Sequence, residues 1–364
     1  MTPDQNQSHT RVQALDLLRL VAVLGVVFYH YGFLGPQING IVHVAVPGVA
    51  DFAKYGYLGV PIFFVISGFV IAYSAEGRTW SGFVIARFSR IYPTFVFCMT
   101  LTCLTVLLIG GANYHTTFSQ WFANLFVFST VLGQPYMDVV YWSLAIEIVF
   151  YGWVAVLIAT GVFPRRIDLI ILICFCITFV NELTWDLNFV EKIFLADDSG
   201  YFAVGLLLYE HHRGRRDPML HGLLALSTGT AIFQSVHRLP KLEVLTGGTF
   251  DPWIVAAICL VAITAIFLAT RIRRVPIPAR VLLAIGGLTY PLYLLHLKLG
   301  YVILESNLLH HSSIANAAAI VVSIFILSWG VWRYVERPAQ GWTKATLTHI
   351  ATRIGWSARL GQHV

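Results

Sequence analysis

A histidine, a glutamate and three arginines lie within or at the ends of long apolar runs, and residues of these types can move a proton and hold an anion. Arg19 and His30 share one run, LDLLRLVAVLGVVFYH, with ten residues between them. Eleven helical steps of about 100° return to within about 20° of the starting azimuth and rise about 16 Å, so both side chains line one face at different depths. Glu147 lies in YWSLAIEIVFY, at a depth expected to match that of His30. A carboxylate beside a buried imidazole fixes its tautomer and raises its basicity, which suits a histidine that takes a proton from a hydroxyl. Ser143, one turn before Glu147 on the same face, is expected to orient an acceptor, with Tyr141 and Trp142 beside it. Arg87 and Arg90 in RFSRIYP stand three apart at a helix start, and paired guanidinium groups clamp phosphates.

Each of these residues also has a plainer reading. A charge near the bilayer centre costs at least a few kcal/mol, so it marks either function or a bond between helices. Arg19 can snorkel, His30 can bond a neighbouring carbonyl, and Glu147 can pair with an arginine. Ser143 can be satisfied by its own helix, and two arginines at a helix end can anchor the protein to the membrane surface. His296 in TYPLYLLH and Lys298 are weaker candidates, and Arg333, Glu336, Arg337 and Pro338 read as a helix end closed by an ion pair and stopped by proline. Asp186, Asp197 and Asp198 are expected to be solvated in a loop. His211 with His212, and His310 with His311, lack third ligands at useful spacing, so no metal site is expected.

Membrane-spanning helices must position these groups. Of 364 residues, 57% are apolar and 12% charged, which is too oily for a water-soluble fold. Hydrocarbon forces each backbone polar group to be satisfied within its own segment or a closed barrel, and the runs match helices crossing about 30 Å. They fall near residues 14 to 34, 57 to 75, 91 to 111, 139 to 161, 167 to 185, 199 to 209, 219 to 236, 252 to 270, 281 to 303 and 314 to 335. The expected fold is an all-α polytopic membrane bundle of about ten transmembrane helices. A further run near 120 to 134 is expected to be re-entrant or interfacial. Leaving it out of the count puts Arg78, Arg87, Arg90, Arg165, Arg166, Arg213, Arg215, Arg216, Arg271, Arg273, Arg274 and Arg280 on the side of both termini, whereas counting it dissolves that asymmetry. The basic clusters therefore read as cytoplasmic anchors, and the formal charge of +6 does not argue for nucleic acid. The transmembrane domain is assigned to residues 1–338 and a short cytoplasmic tail to 339–364. The first helix, with no small-residue cleavage site behind it, is expected to be retained. The five cysteines sit in apolar runs as small hydrophobes.

Taken together, the segments resemble the membrane acyltransferase 3 family, bacterial proteins that O-acetylate surface polysaccharides and other acceptors. The opening run is similar to the family's first helix, with its arginine, ten residues and histidine. YLGVPIFFVISGFVIAYS resembles its glycine-rich second helix, and RFSRIYP its RxxR element. YWSLAIEIVFY resembles its WSLxxE segment, GGLTYPLYLLH its SYxxYLxH stretch and YVERP its closing motif, all in the family's order. Thr289 stands where the family often has serine. The resemblance implies a multi-pass protein of the bacterial inner membrane and a cytoplasmic acyl-CoA donor, acetyl-CoA by family default, with Arg87, Arg90 and Arg19 at its phosphates. It also implies a glycan or lipid-linked acceptor, membrane lipids around the bundle and glycan-assembly proteins as partners. Many relatives carry an added hydrolase-like domain that finishes the transfer; none is expected in this chain. A proton-coupled transporter using the His30/Glu147 pair and a sensor that only binds acyl-CoA or lipid are the competing expectations.

Overall fold

Polar caps and apolar stretches set where the helices begin and how far they run. The computed structural model describes residues 12–39, 48–185, 187–272, 274–306 and 314–356, and these are helical with no strand among them. Helix α1 (Ala14–Tyr29) widens into a π-helical stretch (His30–Asn39) containing Pro36. Then α2 (Val49–Ala53) leads through a 3-10 turn (Lys54–Leu58) into α3 (Gly59–Ala75), followed by the long α4 (Trp80–Ile109). Next come α5 (Phe118–Asn124), α6 (Tyr141–Ala159), α7 (Ile167–Val180), α8 (Asn188–Phe194) and α9 (Ser199–His212). The chain continues through α10 (Pro218–His237), α11 (Leu239–Thr246), α12 (Pro252–Ala269), α13 (Ala279–Leu295), α14 (Lys298–Glu305), α15 (Ile314–Val331) and α16 (Arg337–Arg353). Thr79 caps α4 by accepting from Gly82 N, while Asp217 and Asp251 cap α10 and α12, each with proline next in the chain. Arg215 beside Asp217 also holds that loop carboxyl well below its usual range.

Among the described residues, eight helices are long and apolar enough to cross a membrane, and a ninth is the pair α13 and α14, bent by 58° at their junction. The remaining predicted run, 199 to 209, corresponds to α9, which at 14 residues spans only about 21 Å. It is short because protein rather than lipid surrounds it: nearly every residue is buried between α3 and α10. Leu107, Leu108, Val261 and Ile326 on the outer helices are exposed, as lipid-facing side chains should be. The run near 120 to 134 folds as the seven-residue α5 and a 3-10 turn (Ser129–Leu132), too short to cross. Its continuation re-enters the bundle, since Met137, Asp138 and Val140 are all buried.

We call the face where α1 begins proximal and the other distal. Contacts between helix ends fix the alternation: Glu76 meets Arg213 and Arg215 meets Asp168 on the proximal face, and Arg238 meets Asp197 and Asp198 on the distal face. The described arginines of the predicted basic clusters therefore share the proximal face, while Arg273 lies outside the described residues. Asp198 is a correction to the sequence reading, because it is buried and paired with Arg238 rather than solvated. Asp186, His310 and His311 fall outside the described residues.

The short α9 can be enclosed because glycines let backbones touch. A Cβ on Gly205 would lie 2.2 Å from the Val65 carbonyl oxygen, and one on Gly68 2.5 Å from that of Phe202. Small residues at such crossings are how helices gain packing in a solvent that offers no hydrophobic drive. Gly205→Ala is expected to cost about 1–3 kcal/mol through forced separation of α3 and α9. It should lower the thermal midpoint in detergent, while Gly152→Ala, whose Cβ would meet nothing within 4 Å, should leave it unchanged.

Candidate active site

Four arginines of the proximal half, Arg19, Arg78, Arg87 and Arg90, line a cavity of about 590 Å³ between α1, α3, α4, α6 and α13. That volume is typical of a small-molecule site. Helix α4 places Arg87 and Arg90 three residues apart, so both face inward as the spacing predicts. Their circumstances differ. Arg90 forms an ion pair with Glu336, which is buried in the π-helical stretch Trp332–Glu336 after α15. Arg87 hydrogen-bonds to no described residue, and its Nε is buried without a partner. Arg19 pairs with Asp16 at 2.9 Å and reaches the same cavity.

Glu147 also lines the cavity, but it does not meet His30. Its Oε1 accepts from Ser67 Oγ at 2.7 Å and from the Tyr151 hydroxyl at 2.5 Å, and Arg87 is within electrostatic reach. The expected His30/Glu147 pair fails for a reason of depth. Helix α6 begins inside the bundle, where the Tyr141 hydroxyl reaches the Leu294 carbonyl two residues from His296. Six further residues carry Glu147 about 9 Å toward the proximal face. Ser143 does face the cavity, with its Oγ 2.7 Å from the Tyr293 hydroxyl. Tyr141 and Trp142 are absent from its walls: Tyr141 is wholly buried behind it and Trp142 is exposed on the outside.

His30 finds another histidine. Its Nδ1 is 2.9 Å from the Val26 carbonyl oxygen and 3.1 Å from His296 Nε2, and His296 Nδ1 is 2.8 Å from the Tyr293 carbonyl. Tyr31 donates to the His296 carbonyl at 2.7 Å and Tyr301 to the His30 carbonyl at 2.6 Å, which stitches the π-helical stretch to the break between α13 and α14. Buried Asp138 caps that break by accepting from Lys298 N at 2.8 Å. The histidine pair lies just beyond the cavity's inner end. Gly59 opens α3 against Ala22 and Val26, and the cavity's α3 wall starts at Val60, about one helical turn short of His30. Phe63 and Tyr293 form the floor between them, with ring centroids 6.0 Å apart and Tyr293 5.6 Å from His296.

His296 was visible in the sequence as an isolated ionisable residue, but nothing local tied it to His30. Ser67, Tyr151 and Tyr293 had no signal beyond being polar atoms in apolar runs. Glu336 does not close its own helix end against Arg333 or Arg337; its ion pair reaches across the bundle to Arg90.

A multi-pass helical membrane protein with an arginine-lined cavity ending beneath buried histidines is thus the class that fold and site define. The family model described as Acyltransferase domain matches residues 12–333, and the chain belongs to this acyltransferase 3 family. Among curated proteins it is similar to the peptidoglycan O-acetyltransferase OatA of Listeria monocytogenes, 30% identical over 40% of this chain and 24% of that one. It is also similar to the YrhL protein of Bacillus subtilis, 29% identical over 40% and 24% of the two chains. Nodulation protein 10 of Rhizobium leguminosarum is 29% identical over 42% of this chain and 45% of its own. The aligned region thus spans less than half the length of each of these relatives. No solved structure matches the chain.

Proposed function

We propose that this protein transfers an acyl group, acetyl in the simplest case, from acyl-CoA to a hydroxyl of a glycan or lipid-linked acceptor. The observation that carries the reading is Arg87, a guanidinium inside a cavity wall with no hydrogen-bond partner among the described residues. Its Nε is buried without a hydrogen-bond partner and Glu147 offers it only a longer-range charge, so its donors are open to an anion, a place that the phosphates of CoA fill in this reading. The arginine-rich proximal face is then cytoplasmic, as the positive-inside rule requires, which puts the cavity mouth where acyl-CoA is made and places both termini in the cytoplasm of a bacterial inner-membrane protein. The thin pantetheine arm runs past Glu147 and Ser143, and a turn of the Tyr293 side chain away from Ser143 joins the cavity to the histidine pair.

In the reaction His30 Nε2 takes the proton from the acceptor hydroxyl, whose oxygen attacks the thioester carbonyl carbon. The C–S bond breaks, and the proton passes from His30 to the departing CoA sulfur. Glu147 balances Arg87 and holds the cavity wall through Ser67 and Tyr151. It does not orient the base. Arg19 and Arg90 add positive field for the phosphates, and the acceptor approaches from the distal side or from the lipid. Peptidoglycan is what two relatives' names assign to those relatives, and for this chain it is one glycan among the acceptors to try.

A proton-coupled transporter is the second reading, and the broken helix at Leu297 favours it, since transporter sites are built on such breaks. The His30/Glu147 relay it relied on is missing, because the two groups bond different partners. The test is release of CoA thiol from acetyl-CoA by the purified protein, given a cell-envelope glycan fraction. Arg87→Ala should raise the KM for acetyl-CoA about tenfold to a hundredfold, matching one lost charge-assisted contact, with kcat little changed. A transporter would leave the thioester intact.

A further inference from the structure

We infer that His296 is a positioning residue that holds His30 in one tautomer and supports the charge it acquires. The inference rests on the proposed acyl transfer only for its kinetic part. The atoms dictate where the protons sit. His296 Nδ1 faces the Tyr293 carbonyl at 2.8 Å, and a carbonyl can only accept, so Nδ1 carries the hydrogen and Nε2 keeps its lone pair. That lone pair lies 3.1 Å from His30 Nδ1, which also faces the Val26 carbonyl at 2.9 Å. Two acceptors converge on His30 Nδ1, so it is the protonated nitrogen. His30 Nε2 is then the basic atom, and no described residue bonds it.

When Nε2 takes a proton, the new imidazolium keeps its Nδ1–H pointed at His296 Nε2, in the position that a carboxylate holds behind the histidine of a serine hydrolase. A neutral acceptor suits this place better than a carboxylate. His296 is wholly buried, and a permanent charge there would carry a heavy desolvation cost. His296 is in turn held by its own carbonyl, which accepts from Tyr31, and by the capped break at Leu297. The bend after α13 thereby becomes part of the site: it ends the helix at the point where the ring must meet α1.

Two measurements test this. In protein labelled with ¹⁵N-histidine, the His30 signals, identified by their loss in His30→Gln, should show a protonated Nδ1 and bare Nε2. In His296→Phe the same signals should move toward a mixture of tautomers. A wild-type His30 protonated at Nε2 overturns the inference without reference to any activity. In turnover of acetyl-CoA with the envelope glycan fraction, His296→Gln, which keeps an acceptor oxygen near Nε2, should retain most of kcat. His296→Phe, similar in bulk but with no acceptor, should lose tenfold to a hundredfold in kcat at unchanged KM. A purely packing role predicts the reverse order, with Phe tolerated and Gln not, and that order sinks the inference. His30→Ala separates the two claims: if it stays active, the acyl-transfer reading of His30 fails while the tautomer result stands or falls by itself.

Discussion

Replacing His30 by alanine should lower acyl transfer by about a thousandfold or more, the loss expected when a positioned general base is removed. Without Nε2, the acceptor hydroxyl must lose its proton in a site where α1, α13 and α14 leave little room for water. The loss should fall on kcat alone. His30 is absent from the walls of the cavity, about one turn beyond its inner end, so binding of acetyl-CoA, measured with a labelled donor, should be unchanged. The same geometry keeps the variant foldable: the backbone carbonyl of residue 30, which Tyr301 engages, survives the substitution, so the amount of protein in the membrane should match wild type. Activity within tenfold of wild type would remove His30 from the mechanism and return the histidine pair to the plain role of joining two helices.

Much of this architecture was legible in the residues, and the failures have identifiable causes. Runs of spanning length became helices because hydrocarbon leaves the backbone no other way to satisfy its polar groups. Charge parity excluded the 120 to 134 run from the crossings, since arginines cost more on one side than on the other. Length was least informative at α9, which joins the two faces in 14 residues because its own Gly200 and Gly205 let the enclosing helices come close. Glu147 was misplaced because its depth was counted from an assumed membrane boundary. Helix α6 instead starts beside the histidine pair, brought there by Met137, Asp138 and Val140 packing into the bundle. A one-dimensional hydropathy pattern does not record such a dip.

Other misses were avoidable. Ser143 and Glu147 are one turn apart on a common face, and that alone turns Trp142, about 100° away, off the cavity. Pairings between distant segments were illegible by nature. His30 and His296 are 266 residues apart, and Arg90 and Glu336 are 246 apart. Each appeared locally as an isolated charge with several bland explanations. The three arginines assigned to one task show the same limit. Spacing put Arg87 and Arg90 on one face, but only the position of Glu336 makes one a strut and leaves the other unpartnered.

That difference between neighbouring arginines sets up the second large effect. Arg90→Ala leaves Glu336, 1% exposed, without its ion-pair partner, and stranding a buried carboxylate costs about 1–3 kcal/mol, below the figure for a fully enclosed pair because Arg90 itself is 35% exposed. The variant should lose thermal stability in detergent and accumulate poorly in the membrane, whereas Arg87→Ala, which breaks no hydrogen bond to the protein, should not. Replacing both partners, as in Arg90→Met with Glu336→Leu, removes the stranded charge and should restore the thermal midpoint to near wild type. The restored protein then reports what Arg90 does for the donor. If its guanidinium adds field at the cavity mouth as well as bracing Glu336, the double variant is stable yet needs several times more acetyl-CoA to half-saturate. If KM returns with stability, the pair is purely a brace between α4 and the end of α15, and the phosphates rest on Arg87 with help from Arg19. A double variant as unstable as Arg90→Ala would show that the cost lies in lost packing of the long arginine stem and not in an unpaired carboxylate.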